Sequence, residues 1–437
     1  MFNLPPRRST LFLLPVILIF ATTSLGGALE DYVSASDAHY NWKKTVTTRE
    51  KFGTVYRLEM VSQHWRNQFW SHHLIVVRPN QVRNPHIAFL FVTGDGDGSK
   101  NVELLATLAD RAGALAAVIT QVPNQPLYDG REEDSLIAYT FDQYLRTGDA
   151  AWPLLFPMTK SVMRAMDTIQ AFARQDFDQD VESFVVGGAS KRGWTTWLTA
   201  AVDPRVKAIS PMVIDMLNMK AQLEWAEKVY GRQSEEISDY TQLNLHQKID
   251  DPPMQTLRSW VDPYAYRERY TMPKLLLLGT NDPYWTVDSL RHYWNDLPAP
   301  KLIFQTPNAG HDLGGGKEAI QTLAAFYQLI ADNQPLPEME WKQADETDGR
   351  GVVSVEVNQP VQAVRLWSAD SADRDFRDDK WASSEMSARR GGTLAKGEVK
   401  TPDQGYRAYM AEVELVSPTG HAYKLSTEAR VTPDAIR

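Results

Sequence analysis

The sequence predicts an α/β fold with a doubly wound, mostly parallel sheet, followed by a small C-terminal antiparallel β-sandwich. The first observation is a series of short, almost wholly apolar runs that alternate with amphipathic stretches at helical spacing. Parallel strands are apolar along their whole length because helices cover both faces of the sheet. The second observation is a change after residue 335, where strand-like runs follow one another without helical stretches between them.

The composition excludes several classes of protein. At 437 residues, with 43% hydrophobic residues, the chain is long enough for two domains and can bury a large core. The net charge of −9 argues against nucleic acid as the main partner, because no basic surface is needed to account for it. The chain contains no cysteine, so neither a lipid-modified cysteine nor a disulfide framework is available.

The N-terminus has the layout of a secretory signal. Two arginines precede an apolar run at 11–20, and small residues that end at Ala28 follow it. The run contains Pro15 and is shorter than the ~20 residues that a membrane span needs, so cleavage near Ala28 is favoured over an uncleaved anchor. We expect residues 1–28 to be a signal peptide, and the mature protein to be exported, periplasmic or secreted, without a stable membrane span.

The elements of the sheet follow in chain order. Two strands at 54–65 and 69–79, joined by a polar turn, precede an apolar strand that begins at Ile87 and ends in a glycine-rich loop. Further strands are predicted where apolar runs begin at 114, 183, 208, 274 and 301, with helices predicted at 103–113, 162–175 and about 317–330. The insertion at 217–272, rich in Trp, Tyr and Gln, is expected to form a helical cap over the sheet.

The C-terminal segment is interpreted as a second domain. A proline-marked linker at 333–341 leads to alternating runs, separated by turn residues, at 351–357, 363–369, 409–416 and 422–431. The chain is therefore expected to divide into a signal peptide, an α/β domain over 29–335 and a β-sandwich over 336–437.

Three side chains that follow strands have the order of a serine hydrolase triad. A nucleophilic serine needs a histidine to take its proton and an acid to orient that histidine. In α/β-hydrolases the chain order is Ser, then Asp or Glu, then His, and the serine lies on a sharp strand-to-helix turn. Ser190, Asp282 and His311 each lie just past a predicted strand, in that order. Loops at the carboxyl ends of parallel strands meet at one edge of the sheet, so we expect these three residues to form a catalytic triad.

Each member of this triad also has a plain structural interpretation. Gly188 lies two positions before the serine, but Arg192 replaces the usual second glycine, so the turn reads G-x-S-x-x-G and is a weak signal by itself. Ser190 alone would equally suit a helix cap, and Asp282 a turn. Asp215 also lies at a strand end and competes for the role of the acid. Asp282 is preferred because its turn presents the side chain at the strand tip.

The loops around the serine supply candidates for binding the substrate. The backbone N–H groups of Lys191, which follows the nucleophile, and of Gly94, in the glycine-rich loop, are expected to bind the oxyanion. Lys191 and Arg192 place positive charge at a helix N-terminus, which opposes the helix dipole. An anionic partner is therefore expected, either on the substrate or in the acidic loop at 132–134. The side chains that we consider for substrate binding are Asp95, Glu132, Glu133, Arg192, Asp215 and Trp285.

No metal or cofactor site is expected. No spacing in the sequence resembles a zinc or iron site. His72 and His73 are adjacent in a strand, where one side chain faces in and the other out, so packing is favoured over metal binding.

Several short motifs resemble a known family. VPNQPL at 122–127, REEDSLIAYTF at 131–141, GGASKRGWTTWL at 187–198 and GTNDPYW at 279–285 are similar to the PhoPQ-activated pathogenicity-related family, which includes the autocrine proliferation repressor proteins. The resemblance extends from about residue 30 to the end. It implies an exported α/β-hydrolase-fold protein with a C-terminal sandwich and a role in pathogenicity or stress. It also implies a triad at Ser190, Asp282 and His311. The serine turn alone is similar to that of glucuronoyl esterases.

Two functions of different classes follow from the sequence. The favoured one is an exported serine hydrolase that cleaves an ester or amide bond of a small-molecule or peptide substrate. The alternative is a secreted binding or signalling factor that uses a hydrolase scaffold without catalysis, which the missing second glycine of the turn supports. Under the alternative, Ser190→Ala leaves the biological effect intact, and the segment beyond about 336 is a binding module that the remaining core does not need in order to fold.

Overall fold

The computed structural model describes residues 27–389 and 394–437. The predicted signal peptide falls almost wholly outside the described residues. The strands of the first domain are β1 (Asn41–Glu50), β2 (Gly53–Trp65), β3 (Gln68–Pro79), β4 (Ile87–Val92), β5 (Leu115–Ile119), β6 (Ser183–Ala189), β7 (Val206–Met212), β8 (Lys274–Gly279) and β9 (Lys301–Thr306). They form one sheet in the order β1-β2-β3-β5-β4-β6-β7-β8-β9.

Most of this sheet is parallel, as predicted. The six strands from β5 to β9 in spatial order run parallel, while β1, β2 and β3 form an antiparallel meander that pairs with β5. The sequence did not predict β1, whose residues are nearly all exposed and polar because it is the edge strand.

Helices cover both faces of the sheet. The helices are α1 (Ala28–Ser34), α2 (Val102–Ala112), α3 (Glu133–Thr147), α4 (Leu155–Phe177), α5 (Lys191–Val202), α6 (Met219–Tyr230), α7 (Ser238–Thr241), α8 (Pro252–Val261) and α9 (Lys317–Ala331). Successive residues of a strand face opposite sides, so Phe89 packs with α2 and α9, whereas Leu90 packs with α4 and α5. Within the described residues, no helix has both the length and the apolarity that crossing a bilayer requires.

The predicted cap is present between β7 and β8. It contains α6, α7 and α8 together with short 3-10 turns. Asp262 ties its two ends together, because its carboxylate accepts backbone hydrogen bonds from Asn218 at 3.2 Å, Met219 at 2.8 Å and Tyr264 at 2.9 Å. Burial raises the pKa of Asp262 to about 6, against the opposing effect of these hydrogen bonds.

The C-terminal segment forms two antiparallel sheets. Its strands are β10 (Met339–Asp345), β11 (Arg350–Val357), β12 (Ala363–Ser371), β13 (Ala382–Glu385), β14 (Ala388–Arg389), β15 (Leu394–Lys400), β16 (Tyr406–Val416), β17 (Ala422–Ser426) and β18 (Arg430–Thr432). One sheet has the order β10-β11-β15-β14 and the other β13-β12-β16-β17, with β18 paired to β16. The sheets face each other, since Gly351 of one lies against the Tyr409 ring of the other.

The two parts of the chain share a hydrophobic core. Leu323 and Phe326 of α9 belong to the same buried cluster as Val353 and Leu425 of the sandwich. The link continues at the edge strand β9, where the backbone N–H of Gln305 donates to Ser426 Oγ at 2.9 Å. The sandwich therefore covers an edge and a helix that would otherwise be exposed to water.

Candidate active site

Ser190 lies on a strained turn between β6 and α5. Its backbone has φ 55° and ψ −128°, a region that costs energy for any residue except glycine. Its N–H donates to Met212 O at 2.8 Å, and its carbonyl accepts from the Trp194 N–H at 2.9 Å. Its side chain makes no helix-capping hydrogen bond. The capping role that the sequence left open is therefore not the one that the structure shows.

Gly193 takes the role of the second glycine of the turn, one position later than usual. A Cβ on Gly193 would lie 2.7 Å from Ile214 Cγ2 and 2.8 Å from Gly188 O. A Cβ on Gly188 would lie 2.7 Å from Arg192 O. Both glycines therefore permit the close approach of α5 to the sheet that a sharp strand-to-helix turn requires.

Asp282 holds His311. Asp282 Oδ2 lies 2.8 Å from His311 Nδ1, and the other carboxylate oxygen accepts from the Tyr284 N–H at 3.1 Å. A histidine that donates from Nδ1 keeps Nε2 as the basic nitrogen. His311 Nε2 makes no hydrogen bond with any described residue, Ser190 included. Hydrogen bonds of this kind commonly form only when a substrate is bound.

Asp215 has a different partner. The Tyr293 hydroxyl donates to Asp215 Oδ1 at 2.6 Å. Burial raises the pKa of Asp215 to about 7, and the nearby charge of Asp282 adds to this rise. Asp215 and Asp282 both line a small cavity of about 250 Å³ beneath the site. Of the two candidates for the acid, the one that contacts the histidine is Asp282.

The expected oxyanion donors lie on two adjoining elements. The Lys191 N–H is at the first position of α5, where a backbone N–H has no acceptor within the helix. Gly94 follows β4, and its carbonyl accepts from the Gln121 N–H at 2.7 Å. The Arg192 guanidinium packs directly on Gly94, where a Cβ would lie 2.3 Å from Nη2. Arg192 thus joins the serine turn to the oxyanion loop.

The two cations beside the serine are paired within the chain. Arg192 makes two hydrogen bonds to Glu133, at 2.6 and 2.5 Å, and Lys191 Nζ lies 2.8 Å from Glu133 and 3.0 Å from Asp134. Burial by itself would raise the pKa of Glu133, but the two cations outweigh burial and lower it to about 2. The acidic segment is the first turn of α3, where carboxylates also interact favourably with the helix dipole.

The remaining predicted residues of these loops have roles within the chain. Gln125 Nε2 donates to Asp95 Oδ1 at 3.1 Å and to Glu133 Oε1 at 2.6 Å, so it connects the oxyanion loop to the ion pair. Glu132 is exposed and forms a capping box with Ser135 at the start of α3. Gln125 was not among the predicted site residues, although it lies in the VPNQPL motif.

A large apolar cavity opens beside Ser190 under the cap. It encloses about 940 Å³ of empty space, part of which is open to solvent. Trp285 lines this cavity and the small one beneath the site. The ring of Tyr284 also lines it and lies against the His311 ring, with centroids 4.4 Å apart and the ring planes tilted by 31°. Tyr284 lies in the GTNDPYW motif but was not among the predicted site residues. The cap contributes side chains that include Met219, Leu223, Ile237, Ile249, Met254 and Leu257.

Within the described ranges, no group of three or more His, Asp or Glu side chains is arranged to hold a metal ion. His72 is buried, with Nδ1 2.9 Å from Thr120 O and Nε2 2.9 Å from Ser62 Oγ, whereas His73 is exposed. The two side chains therefore face opposite sides of β3, with His72 in the interior and His73 towards solvent.

Known proteins resemble this chain over most of its length. A family model described as PhoPQ-activated pathogenicity-related protein matches residues 29–377. Autocrine proliferation repressor protein A from Dictyostelium discoideum is 31% identical over 471 aligned positions, which cover 97% of this chain and 94% of that protein.

Solved structures resemble the fold. The acetyl xylan esterase from Paenibacillus sp. R4 has a TM-score of 0.50 and 16% identity, over 68% of this chain and 92% of that one. Acetyl xylan esterase 1 from Thermoanaerobacterium sp. JW/SL YS485 has a TM-score of 0.48 and 17% identity, over 70% of this chain and 91% of that one. At 16% identity the likeness to the Paenibacillus enzyme concerns the fold alone, and the predicted α/β-hydrolase fold class is confirmed by it.

Proposed function

This chain belongs to the PhoPQ-activated pathogenicity-related protein family, and we propose that it is an exported serine hydrolase that cleaves ester or amide bonds. The observation that carries the proposal is the 2.8 Å contact between Asp282 and His311, at the same edge of the sheet that holds Ser190 at positive φ.

The proposed reaction proceeds through an acyl-enzyme. Ser190 Oγ attacks the substrate carbonyl carbon while His311 Nε2 takes the hydroxyl proton, and Asp282 stabilises the imidazolium that forms. The Lys191 and Gly94 N–H groups donate to the oxyanion of the tetrahedral intermediate. Its collapse breaks the bond to the alcohol or amine, which leaves with the proton from His311. Water then attacks the acyl-enzyme, again with His311 as base, and releases the acid.

A fluorophosphonate probe on the mature protein tests this assignment. We expect covalent labelling with the added mass on Ser190, and no labelling of Ser190→Ala. Ser259→Ala is the matched control, since Ser259 is exposed on the cap. Labelling that persists in Ser190→Ala would contradict the nucleophile assignment, and a folded wild-type protein that resists labelling and hydrolyses no ester would contradict the hydrolase.

A secreted signalling factor without catalysis is the second candidate. It is favoured by the name of the Dictyostelium relative, which describes that protein as an autocrine proliferation repressor. Ser190→Ala separates the two functions, because a signalling factor keeps its effect on cells in that variant. Export itself is tested by the mass of the protein recovered outside the cytoplasm, with a mature N-terminus expected near Ala28.

A further inference from the structure

The wall of the cavity beside Ser190 is mainly apolar. Most of this wall consists of aliphatic and aromatic side chains, the larger part of them from the cap. The polar groups Gln222 and Asp134 are occupied: Gln222 Nε2 donates to the Leu217 and Ser289 carbonyls at 3.2 and 3.1 Å. Asp134 accepts from the Tyr240 hydroxyl at 2.9 Å and pairs with Lys191. Among the described residues, the buried side-chain polar atoms of this wall that lack a hydrogen-bond partner are His246 Nδ1, Arg258 Nε and Trp285 Nε1.

The position of the cavity indicates which part of a substrate it takes. Ser190 is in its wall, whereas His311 and Gly94 are not. The leaving group departs beside His311, which protonates it, while the acyl group stays bonded to Ser190 until water releases it. A cavity that reaches the serine without reaching the histidine therefore suits the acyl group.

We propose that this cavity is an acyl-chain site and that the substrates are esters of aliphatic carboxylic acids of medium length. The proposal rests on the proposed hydrolase function and names its substrate class. Burial of each methylene of such a chain against this apolar wall favours binding.

A chain-length series measures this selectivity. We expect kcat/KM for p-nitrophenyl esters to rise from acetate to octanoate by up to about fourfold per methylene, the limit set by complete transfer of a CH₂ from water. Decyl acetate, which carries the chain on the alcohol, should be hydrolysed no faster than ethyl acetate. A flat or falling acyl series, or a preference for the alcohol chain, would overturn the acyl site while leaving the hydrolase intact.

A variant that fills the cavity tests its location. Leu223→Trp projects a large ring into the cavity from α6, and we expect it to abolish the preference for octanoate while hydrolysis of acetate persists. Glu224→Trp adds the same ring to the exposed side of the same helix and should keep the full series. If Leu223→Trp does not fold, alkyl phosphonate probes of increasing length on the wild-type protein decide the question by their labelling rates.

A chain that ends in a negative charge is the main alternative occupant of the cavity. His246 and Arg258 also line the cavity, and no described carboxylate pairs with Arg258. If a monoester of a dicarboxylic acid is hydrolysed faster than the matching monocarboxylic ester, the cavity binds an anionic chain end. That result would overturn the assignment of plain aliphatic acids as substrates. If no ester or probe reacts, the hydrolase proposal fails, and calorimetric titration of the uncharged alcohol octan-1-ol tests the cavity separately. Stoichiometric binding would support an aliphatic-chain site, and no binding would overturn it.

Discussion

At the scale of single residues, two aspartates lie near the site and only one of them contacts the histidine. Asp282 contacts His311, while Asp215 accepts a hydrogen bond from Tyr293. The carboxylate of a triad keeps the imidazole in the correct tautomer and stabilises its charged form. The two aspartates are close enough to line one small cavity, so the matched substitutions Asp282→Asn and Asp215→Asn compare them directly.

We expect Asp282→Asn to lower kcat on an activated ester by about 10⁴-fold with the fold retained, because the amide favours the wrong histidine tautomer. Asp215→Asn should keep most of the activity, since its side chain has no contact with His311. Steady-state kinetics of both variants, with circular dichroism as the check on folding, make the comparison. Equal losses in the two variants would contradict the assignment of Asp282 as the acid.

The raised pKa of Asp215 also predicts how stability depends on pH. Burial raises this pKa from 3.8 to about 7, so the folded state favours the neutral carboxyl. The resulting stabilisation is complete below pH 4 and is lost as the pH rises towards 7. Asp215→Asn should therefore match the wild type near pH 4 and exceed its free energy of unfolding at pH 8, on the order of 4 kcal/mol at most. Urea denaturation at both pH values tests this, and a difference independent of pH would contradict it.

A segment of the sandwich contacts the two loops that carry Asp282 and His311. The segment 372–381 lies between β12 and β13. Asn281 Nδ2, beside the acid, donates to the carbonyls of Phe376 at 3.0 Å and Asp379 at 2.7 Å. Asn308, three residues before the histidine, accepts from the Trp381 N–H at 2.8 Å and donates to its carbonyl at 3.0 Å. The loops after β8 and β9 are therefore positioned by a part of the chain that is remote in sequence.

Asn308→Gly isolates this contact. Asn308 has φ 56°, which glycine adopts freely, so the substitution removes two hydrogen bonds without straining the backbone. We expect a loss of about 1–3 kcal/mol in the free energy of unfolding and at least about a tenfold drop in kcat, since the histidine loop loses its support. Asn333→Gly is the matched control, because Asn333 is exposed at φ 51° and far along the chain from the histidine loop. Equal effects of the two substitutions would refute a positioning role.

At the scale of the whole molecule, the sandwich is part of the folding unit. The cluster that joins α9 to β11 and β17 leaves a large apolar face exposed if residues 336–437 are removed. Gln305 of β9 would also lose its side-chain bond from the Ala429 N–H, which is 2.7 Å long. This arrangement differs from the separable binding module of the alternative function.

We expect a protein ending at residue 335 to aggregate or to unfold without cooperativity, because the uncovered face has no other partner. Soluble yield and thermal unfolding measure this. Removal of residues 435–437 alone is the control, since Ile436 is already 43% exposed. A soluble truncated protein with a sharp transition would show that the two parts fold independently.

The sequence predicted most of the sheet because buried parallel strands are continuous apolar runs, and β4, β6, β8 and β9 all begin close to the expected residues. It did not predict β1 and β10, which are mostly exposed and polar, or β15, in which exposed residues alternate with small buried ones. The short strands β13 and β14 were not predicted either. The order of Ser190, Asp282 and His311 was likewise visible, because each follows its strand.

By itself, then, the sequence determined the fold class and the chain order of the proposed triad, since both depend on local patterns of apolar and polar residues. Only the tertiary structure placed His311 in contact with Asp282, paired Lys191 and Arg192 with the start of α3, and brought Asn308 to Trp381. These contacts join residues from 29 to 73 positions apart. No periodic pattern along a chain records them, because they form only when separate elements pack against one another.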